Sequence, residues 1–178
     1  VEKLVALPCQ SLLIEPQSTT LEEIIISEYI TEGISKKADG SFQINRKNLG
    51  ILPGLIEPDV LQTLQVLPGI QSVDETISNL TVRGGTNDQN LVLWDGIKMY
   101  QTGHFFGLIS AFNPYLTDKI QFTKNGTSTS LNDGVSSTID IRSDDNVVKK
   151  FSGGAGINMI NGDFFVKIPL SPRMSMQV

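Results

Sequence analysis

The sequence predicts an α+β domain: a small mixed sheet of four or five strands with short helices, flanked at both ends by partial strands. Three observations carry that prediction. Between residues 70 and 142 the apolar residues fall in short runs rich in Val, Ile and Leu, separated by Gly, Asn and Asp, the residues that make turns. One stretch instead repeats at helical spacing, through Val60, Leu61, Leu64 and Leu67. Finally, Val82-Arg83-Gly84-Gly85 and Leu91-Val92-Leu93-Trp94-Asp95-Gly96 read as two short strands joined by a polar, glycine-marked loop and closed by an Asp-Gly turn.

In chain order, residues 1–18 alternate irregularly through Leu4, Ala6, Cys9 and Leu12-Leu13-Ile14, then stop at Glu15-Pro16-Gln17-Ser18. This is a last strand or two followed by a linker. Leu21, Glu22, Glu23, Ile24, Ile25, Ile26 and Ser27 follow, an acidic pair before three consecutive β-branched residues. Such a segment has high strand propensity but no partner strand beside it in the sequence. It either pairs with a foreign edge or forms an internal edge strand. Residues 30–50 are polar and read as linker, one short strand at Phe42-Gln43-Ile44, and a loop. Glu57-Pro58-Asp59 sets acids and a proline at the start of a helix over 58–67, which Pro68-Gly69 ends. Strands are expected at 77–82, 90–94, 97–100, 120–124 and 138–142. The apolar stretch 105–116, with Asn113-Pro114 inside it, predicts a short helix or two broken helical turns. From Phe151 the texture changes to glycines, then Phe164-Phe165-Val166, two strand-like runs with a turn between.

Composition excludes several functions. The chain has 178 residues, 39% hydrophobic and 19% charged, enough for a core, and its net charge of −5 argues against nucleic-acid binding. The paired bases Lys36-Lys37 and Lys149-Lys150 read as solvated loops. The single Cys9 excludes an intramolecular disulfide, and Pro8 before it spoils a lipobox. His104 is the only histidine, no Gly-x-Ser-x-Gly elbow exists, and no catalytic residue is expected. Beside Phe105-Phe106, His104 reads as a packing and hydrogen-bonding residue. Gly84-Gly85 lacks the Gly-Lys-Ser/Thr of a phosphate loop, and Asp144-Asp145-Asn146 lacks calcium-loop spacing, so neither a cofactor nor a metal is expected.

The paired phrase at 82–85 and 91–96 resembles the plug domain of TonB-dependent outer-membrane receptors of Gram-negative bacteria. Residues 59–70 resemble the family's helix followed by Leu-Pro-Gly. Tyr100, His104, Phe106-Gly107, Ser110, Phe112-Asn113-Pro114, Ile120, Ser136-Ser137 and Ile141-Arg142 follow in the family's order. The details are closest to receptors that carry a carboxypeptidase-regulatory-like sandwich ahead of the plug. One departure is Lys124-Asn125-Gly126 and Leu131-Asn132-Asp133-Gly134, where the family usually has Lys-Gly and then Tyr-Gly. The tight turns survive, but any role of that tyrosine does not carry over.

The resemblance implies a layout: 1–18 a remnant of the preceding sandwich, 19–50 a TonB-box-like segment and linker, 51–145 the plug, and 146–178 the truncated start of the β-barrel. It implies a gate that occludes the barrel, contributes to solute binding, and is rearranged when the TonB C-terminal domain adds residues 21–27 to its sheet edge. The solute would be a siderophore, cobalamin, glycan or peptide, with a surface lipoprotein as a further partner. Arg83, an always-charged planar fork, would face barrel carboxylates, with Gly84, Gly85, Asp95 and Gly96 as the accompanying motif, Asp95 fixing its own turn through its side-chain oxygen. Thr86, Asn87, Asp88, Gln89, Gln101 and His104 would lie in solute-facing loops. A barrel of about 22 strands of about 10 residues exceeds this length, so the chain would be a fragment. The alternative is a secreted or periplasmic ligand-binding or adhesion module without TonB coupling.

Overall fold

The computed structural model describes residues 28–49, 58–74, 76–157, 159 and 162–178. The readings for residues 1–27, including Cys9 and the acidic, β-branched heptad, lie outside the described residues.

The central strand of the main sheet is Thr117–Lys124, where Ile120 and Phe122 alternate inward and are fully buried. The strands before it are β1 (Glu28–Thr31), β2 (Ile34–Lys36), β3 (Phe42–Asn45), β4 (Ile70–Ser72), β5 (Leu80–Val82), β6 (Asn90–Trp94), β7 (Ile97–Lys98), β8 (Gly103–His104) and β9 (Ile109–Ser110). The central strand is thus β10, followed by β11 (Ser137–Ser143), β12 (Ser152–Ile157), β13 (Gly162–Ser171) and β14 (Met174–Gln177). The main sheet runs β1-β2-β3-β10-β11-β6-β7 and is mixed, since β11 and β6 are parallel and every other pair antiparallel. Register follows the apolar pattern: Ile120 lies opposite Ile44 and Ile141, and Phe122 opposite Phe42 and Ile139.

Two short helices accompany the sheet, α1 (Arg46–Leu49) and α2 (Val60–Gln65). Asp59 caps α2, its carboxylate accepting from the Gln62 amide at 2.7 Å, while burial pushes that carboxyl above its ordinary range. Val60, Leu61, Leu64 and Leu67 are buried in one core with Ile44, Ile120, Phe122, Ile139 and Ile141. Burying each such side chain stabilises by about 1.5–3 kcal/mol.

The mixed α+β sheet expected from the sequence is present, with four strands from residues 90–143 and three more from 28–45, where one was expected. Two expectations fail. The strand at 80–82 does not join the main sheet but pairs with β4, Ile70 opposite Val82. Both edges of β6 are already occupied, by β11 and β7, and Arg83 and Gly84 turn the chain away at φ 51° and 83°. The stretch 105–116 is not helical: β8 and β9 form a hairpin across Phe105, Phe106 and Gly107, all at positive φ (47°, 55° and 83°), which a right-handed helix forbids. The tail forms three antiparallel strands, β12-β13-β14, one more than the runs suggest.

Candidate functional site

The predicted motif residues fall at the two opposite ends of β6. At one, β5 ends in Arg83-Gly84-Gly85, and the chain passes through Thr86 and a single 3-10 turn (Asn87–Gln89) into β6. Thr86, Asn87, Asp88 and Gln89 are all exposed. Their loop is tied to the start of β11, because the Val135 and Ser136 amides both donate to the Gln89 carbonyl at 3.1 Å. Gly85 is there for space: an added Cβ would lie 2.2 Å from Ser136 Oγ, which donates to the Val82 carbonyl at 2.8 Å. Arg83 is exposed and lines a shallow groove with Gly69, Gln71, Thr81 and Gly84.

Two lysines join Arg83 at this end. The Lys124 ammonium donates to the Pro68 carbonyl and lies 4.5 Å from the centre of the Phe42 ring. Burial, then the nearby charges of Arg83 and Lys36, push Lys124 below its ordinary value. Among the described residues, none of these three cations is in an ion pair. Sequence reasoning found Arg83 and missed the lysines, which lie 41 and 47 residues away and meet it only through the pairing of β2, β3 and β10.

Asp95 and Gly96 lie at the opposite end of β6, so the structure separates them from Arg83, Gly84 and Gly85. They form the expected tight turn, at φ 49° and 81°. The Asp95 carboxylate does not fix its own turn, however. It accepts from the Ser143 amide of β11 at 2.8 Å, beside Trp94, whose indole donates to Ser143 Oγ at 2.9 Å.

Gln101 and His104 are exposed on the segment leading into and forming β8. His104 is not the packing residue expected, because its place in a two-residue strand turns it outward. Next to it, Phe105 and Phe106 meet edge to face at 5.7 Å, and Phe106 is 89% exposed.

The sheet β12-β13-β14 lies against the rest of the domain on one face. Tyr115 stacks on Phe165 at 4.6 Å and 16°, Lys167 approaches Asp144 at 3.6 Å, and Gln177 donates to the Asp144 carbonyl at 2.7 Å. Strand alternation puts Phe164, Val166 and Ile168 on the other face, opposite Ala155, Gly153 and Met176. That face is entirely apolar along these pairs.

Residues 56–138 match the family model of the TonB-dependent Receptor Plug Domain. This segment is a TonB-dependent receptor plug domain. Solved structures with the same fold include the siderophore receptor PirA from Pseudomonas aeruginosa, 14% identical over 80% of this chain and 28% of that one, with a TM-score of 0.55. The ferric enterobactin receptor PfeA from Pseudomonas aeruginosa, in complex with enterobactin, is 16% identical over 80% and 24%, at 0.56. The copper transporter OprC is 15% identical over 80% and 23%, at 0.54. The chain therefore spans about a quarter of the length of these receptors. No curated protein matches it. The plug family belongs to transporters rather than enzymes, and among the described plug residues no three His, Cys, Asp or Glu side chains gather as metal ligands.

Proposed function

We propose that this chain is the gate and the first wall strands of a TonB-dependent transporter in the Gram-negative outer membrane. The plug occludes the barrel, and β12–β14 begin it. The observation that carries this reading is the two-faced sheet after the plug. One face rests on the plug through Tyr115 and Phe165, and the other is apolar and open. Barrel strands around a plug need that arrangement, with apolar residues toward lipid and the alternate residues toward the lumen.

Within that reading, Arg83, Lys124 and Lys36 form a positive end that carboxylates of the remaining barrel neutralise, holding the gate shut. The exposed loop of Thr86, Asn87, Asp88 and Gln89, with Gln101 and His104, contributes to binding a small solute of the siderophore, cobalamin, glycan or peptide type. A surface lipoprotein is a further partner. Force arrives from the TonB C-terminal domain, which takes residues 21–27 as an added strand.

Calorimetry with a TonB C-terminal domain tests the coupling. Binding should occur and should weaken strongly for Ile25→Pro, which removes a backbone donor and fixes φ near −65°. Absence of binding, or affinity indifferent to the proline, would reduce residues 21–27 to an ordinary strand and favour a module without TonB coupling.

A further inference from the structure

α1 has only four residues, yet two adjacent side chains on it reach β13 through one intermediary each. The Arg46 guanidinium lies 5.4 Å from the centre of the Tyr115 ring, and its Nε donates to the Thr117 carbonyl at 3.3 Å. Tyr115 in turn stacks on Phe165. Lys47 Nζ sits 2.9 Å from both Asp118 and Asp144, and Asp144 is 3.6 Å from Lys167. Phe165 and Lys167 are two residues apart on the same face of the same strand, so both links end at one place.

The other side of α1 is just as closely held. It continues directly from β3, and the turn between β1 and β2 presses on it at Gly33. A Cβ there would lie 2.7 Å from the Leu49 amide nitrogen, and the Asn45 amide donates to the Gly33 carbonyl at 2.8 Å. Within the main sheet the unit β1–β3 joins the other strands through the pairing of β3 with β10, and its Ile34, Phe42 and Ile44 pack in the common core. A displacement of that unit therefore carries α1 with it.

We propose that α1 is a relay: movement of β1–β3 withdraws Arg46 and Lys47 and loosens the seam between the plug and β12–β14. The physical lever is the burial of the two acids. The side chains of Asp118 and Asp144 are each only 9% exposed, and without Lys47 their nearest cations are Lys119 at 3.7 Å and Lys167 at 3.6 Å, although Asp144 Oδ1 still accepts from the Asn146 amide and side chain at 3.2 and 2.7 Å. A nearly buried carboxylate that loses its closest cation draws water. Asp144 draws it to the point where the chain leaves β11 for β12. The relay is internal to this chain and stands whether or not β12–β14 opens a barrel.

Amide hydrogen exchange on the full chain in detergent micelles tests it, read at 164–168 in β13 and, as a control, at the paired amides of β10 and β11. Lys47→Met should speed exchange in β13 by about fivefold or more while the control amides hold, and Lys47→Arg should restore protection. Gly33→Ala, which pushes on α1 from the far side, should produce the same distant effect, and the two changes together should add little to either alone. Unchanged β13 exchange in Lys47→Met, or a Gly33→Ala effect confined to β1–β3, overturns the relay. Should Gly33→Ala fail to fold, the Lys47 pair decides alone.

Discussion

The two glycines that follow Arg83 serve different physical needs, and alanine substitution separates them. Gly84 sits at φ +83° with nothing within 4 Å of an added Cβ, so Gly84→Ala costs only the left-handed backbone penalty, about 1–2 kcal/mol. Gly85 has no such backbone requirement, but its methyl would lie 2.2 Å from Ser136 Oγ, 2.7 Å from Ser136 Cβ and 3.0 Å from Gln89 Oε1. Ser136 must move, losing its 2.8 Å bond to the Val82 carbonyl, worth about 1 kcal/mol, and the crowding adds about 1–3 kcal/mol. Gly85→Ala should therefore destabilise by about 2–4 kcal/mol, more than Gly84→Ala, in urea unfolding followed by the Trp94 fluorescence. In a Ser136→Gly background the Gly85→Ala increment should fall below about 1 kcal/mol, since the two sites are coupled. Gly84→Ala as costly as Gly85→Ala, or a Gly85 increment indifferent to Ser136→Gly, would refute the close-approach account.

Phe122→Ala removes a fully buried ring that packs 6.4 Å from Phe42, and should cost about 3–5 kcal/mol in the same unfolding assay. Burial raises Asp144, but hydrogen bonds from Lys47 and Asn146 outweigh it and bring its pKa from 3.8 to about 2. Its stabilising contribution is therefore complete above pH 3.8 and is lost as pH falls through about 2; carboxylate NMR should find the midpoint there, moved up in Lys47→Met. Arg83→Ala, at an exposed position, should leave the unfolding midpoint within about 0.5 kcal/mol of wild type while altering uptake or leakiness in a complete receptor. A large loss of stability would make Arg83 a structural residue.

Local signals were legible and long-range ones were not. The helical spacing through Leu67 gave α2, though its regular part stops at Gln65, because Pro68 and Gly69 turn the chain toward β4. Asp-Gly gave the turn between β6 and β7. The hairpin at Phe105 and Phe106 was hidden because two bulky residues at positive φ contradict the preference any reading by residue type relies on. The partners of Arg83 were hidden for a different reason. Lys36 and Lys124 look like isolated surface charges until strand order brings β2, β3 and β10 together. The seam escaped likewise, since neither Tyr115 nor Phe165 carries a sign of the other.

The separation of Arg83-Gly84-Gly85 from Asp95-Gly96 also explains the residues between them. An antiparallel pair has its register fixed by the turn that joins its strands, but β6 and β11 are parallel, with more than forty residues between their starts, and no turn can set them. Side chains do it instead, at both ends. At the Arg83 end Ser137 Oγ donates to Asn90 Oδ1 at 2.8 Å, while Asn90 Nδ2 reaches across to the Leu80 carbonyl of β5 at 2.7 Å. At the other end the Trp94 indole and the Asp95 carboxylate both take Ser143. β6 is thus a strut pinned at each tip, and the motif's two halves are its two fastenings. One holds the loop beside the unpaired cations; the other holds the last residue of β11, next to Asp144 and the seam with β13. A change at either fastening should therefore be felt along β6 at the other, which a hairpin with its own turn would not require.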